Sequence, residues 1–332
     1  MSVDVFAPAH RIAAQVREGD VTALAVTEAF LGRIAALDPV VNAFTDVIVE
    51  RALAQARAVD AARAAGAPLG PLAGVPFAAK NLFDIEGLPT RAGSKINRER
   101  EPAARDAVLV ERLTAAGAVL LGGLNMGEYA YDFTGENAHD GPCRNPHDPA
   151  RMAGGSSSGS GAATAAGLSP LSLGSDTNGS IRVPSSLCGI FGLKPSYGRL
   201  PRTRSFPFCD SLDHLGPFAR DVTDLATAYD ALQGPDALDP ACTQRPVEPA
   251  LPSLQAGIGG LRIAVAGGHF ATDGMPEAAA AVALVAKALG ATGTVALEGA
   301  AIARAAAFLI TNSESATFHL DRLRARADDF DP

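Results

Sequence analysis

The stretch "MAGGSSSGSGAATAAG", residues 152–167, has two readings, and the fold turns on which one holds. Gly and Ser at this density usually form a spacer that gains nothing by settling into one shape. The flanking sequence opposes a spacer. Residues 161–174, "GAATAAGLSPLSLG", continue into small apolar residues suited to a tightly packed helix and then a buried strand. A phosphate-cradling loop is a third possibility, because glycines that open a helix offer backbone N–H groups to an anion. The run carries no GxxxxGK[ST] lysine, however, and "GSGAAT" lacks the last glycine of GxGxxG.

Outward from this run, the periodicity switches between helix and strand. Val26, Phe30, Leu31, Ile34 and Leu37 share one helical face, with Thr22 as cap and Pro39 closing the segment; a second helix is expected from Glu50 to Ala65, stopped by Gly66. In "GVPFAAKN", residues 74–81, Val75, Phe77 and Ala79 alternate after a Gly/Pro turn, which predicts a short strand ending at Lys80. A helix over 107–116 leads to the strand "AVLLGG", and the same order returns in "LRIAVAGG", an Ala-rich helix near 276–289, and "TVAL" at 294–297. Such alternation predicts an α/β fold, a sheet covered by helices. Residues 234–257 hold five prolines and no apolar period, which marks them as a surface crossing.

Composition narrows the functional classes. With 47% hydrophobic residues over 332 positions the chain has ample apolar surface for a core, and a net charge of −8 without a basic cluster argues against nucleic acid. The first twenty residues lack the basic start and apolar run of an export signal, and Lys287 interrupts the longest Ala-rich segment, so a cytoplasmic protein off the membrane is expected. Cys143, Cys188, Cys209 and Cys242 show no CxxC spacing and are read as buried thiols. The six histidines show neither HxH nor HExxH spacing, and no metal is predicted.

Three pieces, "GVPFAAKNLFDIEGLPTRAGS", "GGSSSGSG" and "GSDTNGSIRVPSSLCGIFGLKP", resemble the amidase signature family of serine hydrolases in order and spacing. The likeness extends through "NPHDPARMAGGSSSGSG" and "SLDHLGPFARDVTDLA" and weakens beyond about residue 235. The resemblance implies an α/β fold with a mixed, twisted sheet covered by helices on both faces. One amidase domain over 1–332 is expected: an N-terminal helical region (1–70), a catalytic core (71–233), the Pro-rich crossing (234–257) and an α/β segment (258–332). Family members continue well past "DDFDP", so a shortened C-terminal part, exposed apolar surface near the last helix and lower stability are also expected.

The same resemblance assigns roles. Ser180 matches the nucleophile, Ser156 the bridging serine joined to Gly155 through a cis peptide, and Lys80 the base. A lysine base must be neutral, whereas an unperturbed pKa of ~10.4 leaves about one in a thousand or fewer neutral at pH 7, so burial has to lower it. Backbone N–H groups of Thr177, Asn178, Gly179 and Ser180 match the oxyanion hole. Asn178 stands where many members have glycine; Asn tolerates positive φ at modest cost. Ser157 is expected to support the lysine, Asp176 and Arg182 to brace the turn, and Ser158, in place of a family glycine, has no assigned role.

Blander readings stand beside these. Lys80 alone would be a solvated strand end, and Ser156 and Ser180 singly would be turn residues. Cys188 has no activating neighbour in sequence and is read as a core thiol; Glu128 and Asn137 are as compatible with cap or turn roles as with the cleft, and His214 is read as structural. Within the family, "SLDHLGPFARDVTDLA" and "HLDRLRARADDFDP" are most similar to the branch that acts on 1-carboxybiuret in cyanuric acid breakdown. This implies a small amide substrate, ammonia release, no cofactor, and a homodimer or a complex with a small helical subunit. The alternatives are the glutamine-hydrolysing component of the tRNA-dependent amidotransferase, and a non-catalytic fragment or scaffold, against which intact Lys80, Ser156 and Ser180 argue.

Overall fold

The computed structural model describes residues 3–332, which divide into two compact units, one running to Pro252 and including Phe318–Pro332, the other Ser253–Thr317. In chain order the first unit contains α1 (Ala9–Glu18), α2 (Ala23–Val41), β1 (Phe44–Val47), α3 (Val49–Ala64), β2 (Pro76–Lys80), α4 (Val108–Ala115) and β3 (Val119–Leu124). There follow β4 (Arg144–Asn145), β5 (Asp148–Met152), α5 (Ser158–Ala165), β6 (Leu171–Asp176), α6 (Arg182–Cys188), β7 (Phe191–Gly192), β8 (His214–Ala219) and α7 (Val222–Leu232). The second unit holds β9 (Val265–Ala266), α8 (Pro276–Ala288) and β10 (Thr294–Val295); α9 (Ala300–Arg326) begins in it, and the division falls within that helix.

Six strands of the first unit form one mixed sheet in the order β1-β3-β2-β6-β8-β7, with β3-β2-β6 parallel and the outer pairs antiparallel. Every residue of β2, β3 and β6 is buried. A strand buried on both faces needs helices on both; this is the α/β architecture that the sequence pattern predicts, with the mixed sheet that the family resemblance implies. Phe30, Phe77, Phe83 and Phe218 are its largest fully buried apolar side chains.

Local chemistry sets the element ends. Thr22 caps α2 by accepting from Ala25 N at 3.0 Å, but the helix passes through Pro39 to Val41 instead of closing there. Pro39 denies the Ala35 carbonyl its helical donor and crowds it, yet the helix runs two residues further, and Asn42, at φ 55°, ends it. The N-terminal helical region, 1–70, also supplies β1, whose Phe44 pairs with Leu124 of β3. The Pro-rich crossing differs from a free linker as far as Leu251. Asp230 accepts from Ala250 N at 2.7 Å and Leu251 N at 3.0 Å, and Arg112 donates to the carbonyls of Leu232, Gly234 and Pro235.

The boundary drawn at 258 also moves. Residues 318–332 belong with the first unit, where Arg326 grips Glu99 with both terminal nitrogens, Lys95 pairs with Asp329, and His319 and Phe330 pack on Tyr129. In the second unit no residue of α8 is buried, and Leu284, Ile302 and Leu309 are exposed. Among the described residues no helix is long and apolar enough to cross a membrane.

A buried clasp joins α1 to α7. Asp224 accepts from Ala9 N at 2.6 Å, His10 N at 2.8 Å and His10 Nδ1 at 2.6 Å, while Asp221 caps α7. Asp224→Ala orphans three donors at once, and a loss of about 2–3 kcal/mol in unfolding free energy is expected, read as a lower denaturation midpoint.

Candidate active site

Parallel strands β2 and β6 lie side by side, with Ala79 opposite Leu173, and their C-terminal ends carry Lys80 and Ser175. Ends of parallel strands are where α/β folds place ligands. Lys80 is fully buried, and its Nζ donates to Ser156 Oγ at 2.7 Å and to Ser175 Oγ at 2.9 Å. Burial, which penalises the ammonium, pulls its pKa from 10.5 to about 7 against the opposing charges of Asp132, Asp213 and Asp176.

The Gly/Ser run is the buried wall beside this lysine. Residues 153–164 are all buried, and α5 lies along β6 through its hydroxyls: Ser160 Oγ donates to Leu173 O at 2.9 Å, and Thr164 Oγ1 meets Ser172 Oγ at 2.8 Å. The glycines permit this approach. A Cβ at Gly159 would lie 2.4 Å from Ala43 O, and one at Gly161 would lie 2.9 Å from the Pro184 ring. The Gly155–Ser156 peptide is cis, and Gly127 N donates to Ser156 O at 3.2 Å. Ser158 Oγ reaches Asn125 O at 3.4 Å, a packing contact.

Ser157 sits one step further from the lysine than its expected support. Its Oγ donates to Ser175 O at 3.1 Å and accepts from Ser175 N at 3.2 Å, so it fixes Ser175, and Ser175 touches Lys80. Ser157 N also donates to Ser180 O at 3.3 Å, which ties the Gly/Ser segment to the turn after β6.

That turn, 177–180, is held by Asp176. Its Oδ1 accepts from Gly179 N at 2.9 Å and Arg182 Nη2 at 2.8 Å, and its Oδ2 from Ile181 N at 3.1 Å and Arg182 Nε at 3.0 Å. Burial alone would raise the Asp176 carboxyl, but Arg182 and these N–H groups outweigh it and hold it below its ordinary value. Gly179 thus departs from its expected part as an oxyanion donor, because its N–H turns inward to Asp176. Thr177 is anchored from the other side: its Oγ1 donates to Asp213 Oδ1 at 2.5 Å, and Asp213 Oδ2 accepts from Phe208 N and Cys209 N at 2.8 and 3.0 Å. Burial pushes the Asp213 carboxyl up. Ser180 is 3% exposed at the end of the turn.

Other sequence candidates do structural work. Cys188 is buried, its thiol pushed up to about 12, and it donates to Ala153 O, so no thiolate nucleophile forms there. None of the four cysteines, all buried, is in a disulfide. Asn137 bridges loops through Gly93 O and Met126 O, Glu128 accepts from Asp331 N at 2.6 Å, and His214 Nδ1 meets Leu212 O at 2.6 Å. A cavity of about 680 Å³ is lined in part by Ser175, Arg202, Phe206, Phe208 and Asp213. Ser175 and Asp213 escaped the sequence reading. Ser175 follows Leu171 and Leu173 on one face of a strand, so strand periodicity marks it as the polar end of an apolar row.

Comparison with known proteins gives the family. The family model described as Amidase matches residues 25–324. The chain is 60% identical over 317 residues to AtzE, a component of the 1-carboxybiuret hydrolase of Pseudomonas sp. (strain ADP), covering 96% of this chain and 69% of that one. It is 46% identical over 258 residues to one component of the glutamyl-tRNA(Gln) amidotransferase of Thermobifida fusca (strain YX), covering 77% of this chain and 52% of that one. It therefore spans about half the length of the latter. Among solved structures it is similar to a vestigial protein complex said to reveal the origins of an s-triazine catabolic enzyme (TM-score 0.97, 58% identity, 98% of this chain and 71% of that one). It is also similar to the peptide amidase of Stenotrophomonas maltophilia (TM-score 0.84, 32% identity, 95% and 68%). The chain belongs to the amidase signature family.

Proposed function

We propose that this chain hydrolyses the C–N bond of a small carboxamide or urea-type substrate and releases ammonia, with Ser180 as nucleophile, Ser156 as proton relay and Lys80 as base. The observation that carries the proposal is the 2.7 Å contact between the fully buried Lys80 Nζ and Ser156 Oγ. As Ser180 Oγ attacks the carbonyl carbon, its proton passes to Ser156 while Ser156 gives its own to neutral Lys80. The tetrahedral oxyanion is met by N–H groups of the 177–180 turn, Thr177 and Ser180 foremost, with Asn178 in the same turn. When the C–N bond breaks, the proton returns through Ser156 to the leaving nitrogen, and ammonia departs. Water then repeats the sequence on the acyl-enzyme and frees Ser180.

A substrate like 1-carboxybiuret follows from the 60% identity to a component of the hydrolase named for it. A partner, either a second copy of this chain or a small helical subunit, is supported by the 58% identical structure being that of a protein complex. The buried cysteines, none of them in a disulfide, accord with a cytoplasmic setting. Exposure to a fluorophosphonate, followed by intact mass and peptide mapping, tests the site. One adduct on Ser180 is expected, lost in Ser180→Ala and at least about a hundredfold slower in Lys80→Ala; a folded chain that takes no adduct contradicts the proposal. Ammonia release from biuret-type amides and not from glutamine separates the two substrate classes.

Lys80 gives the proposal its pH signature. The base works only when neutral, so with its pKa at about 7 the labelling rate should rise with pH through a midpoint of about 7 and then level off. A rate still climbing above about pH 9 means an unperturbed lysine. Stability follows the same titration. Between about 7 and 10.5 the unfolded chain binds a proton that the folded site releases, so this residue's contribution to stability grows as pH rises through that window. Lys80→Met should therefore raise the melting temperature near neutral pH, and by less at pH ~10.

A further inference from the structure

The carboxylate of Asp132 has one oxygen fully used and one without a donor. Oδ1 accepts from Thr134 N at 2.5 Å, Thr134 Oγ1 at 2.6 Å and Gly135 N at 2.9 Å. Oδ2 is buried, and among the described residues nothing donates to it. The three donors on Oδ1 account for a turn-capping aspartate, which a neutral Asn would serve as well. A buried carboxylate oxygen left bare is costly, so the turn cap alone does not account for the charge.

Its position is against the segment that carries Ser156. Gly127 and Gly155 flank Ser156: Gly127 N donates to Ser156 O, and Gly155 precedes it in the chain. Asp132 is pressed against both. A Cβ at Gly127 would lie 1.6 Å from Asp132 Oδ2, and one at Gly155 would lie 3.2 Å from Oδ1 and 3.1 Å from Asp132 O. The same loop grips the segment through its backbone, with Gly155 N donating to Phe133 O at 2.8 Å and Gly154 N to Thr134 O at 3.1 Å.

We propose that Asp132 is a positioning residue for the proposed proton relay: it wedges the Ser156 segment against Lys80 and places a fixed negative charge where the lysine becomes ammonium during turnover. Three carboxylates act on Lys80. Asp176 at the end of β6 is paired with Arg182, and Asp213, just before β8, is held by the Thr177 hydroxyl and two backbone N–H groups. Asp132, on the loop before β4, exerts the largest of the three charge effects and has no cationic side chain paired with it among the described residues. Its charge opposes the burial that makes Lys80 neutral and so keeps the lysine able to accept a proton near neutral pH.

This rests on the relay proposed above, and the test keeps the two apart by reading fluorophosphonate labelling of Ser180 against pH, which requires no knowledge of the substrate. Asp132→Asn keeps the shape and removes the charge. Its acid limb should move down by about half a pH unit or more, with labelling at the foot of the limb about threefold faster or better if the plateau is unchanged. Asp132→Glu keeps the charge and spoils the fit against Gly127, so its plateau should fall while the limb stays with the wild type. Should Asp132→Asn fail to fold by circular dichroism, Asp132→Ser, which withdraws the side chain from Gly127, carries the same prediction for the limb. A folded neutral variant whose limb coincides with the wild type overturns the proposal alone, whereas a wild-type chain unlabelled at Ser180 overturns the relay and this proposal with it.

Discussion

A lysine sealed from solvent is the constraint on which the rest of this structure depends. Lys80 ends a strand buried on both faces, and the groups its ammonium nitrogen meets are the hydroxyls of Ser156 and Ser175. Hydroxyls accept a hydrogen bond from either form of the amine but bring no countercharge, so burial dominates and the lysine loses its proton at about pH 7. A carboxylate paired directly with Nζ would restore the ammonium and remove the base. The three aspartates that act on it are accordingly directed elsewhere, Asp176 into Arg182, Asp213 into Thr177, and Asp132 into its own turn.

Such a site needs small residues around it. The wall beside Lys80 is the segment 153–164, where glycines let α5 approach Ala43, Asn125 and Pro184 at distances a Cβ would forbid, and serines and threonines replace apolar contacts with hydroxyl bonds to β6. The resulting path is short: Ser157 fixes Ser175, Ser175 holds Lys80, and Ser157 also donates to the carbonyl of Ser180. Composition that elsewhere gives a flexible spacer here gives close packing, because the segment enters an apolar helix and strand that bury it.

Much of this was legible from local chemistry. The alternation of Val75, Phe77 and Ala79 puts Lys80 at a strand end, the Thr22 cap opens α2, and Gly66 closes α3. The family motifs singled out Ser156 and Ser180. What escaped depends on the third dimension. Ser175 and Asp213 lie in strand and turn positions whose importance comes from neighbours distant in sequence, and the inward turn of Gly179 N–H follows from Asp176. Proline is a helix stop by rule, yet α2 runs two residues past Pro39 before Asn42 ends it. The return of residues 318–332 to the first unit rests on pairs such as Arg326 with Glu99, more than two hundred residues apart, which no local pattern records.

The most direct measurement is the titration of Lys80 itself, by NMR of lysine side chains labelled at the ε position, with the Lys80 signal assigned by its loss in Lys80→Arg. A midpoint of about 7, well below the other lysines, is the expected result. A midpoint at the ordinary ~10.4 would mean that the amine is charged at neutral pH, and that Lys80 is not the base on which this site depends.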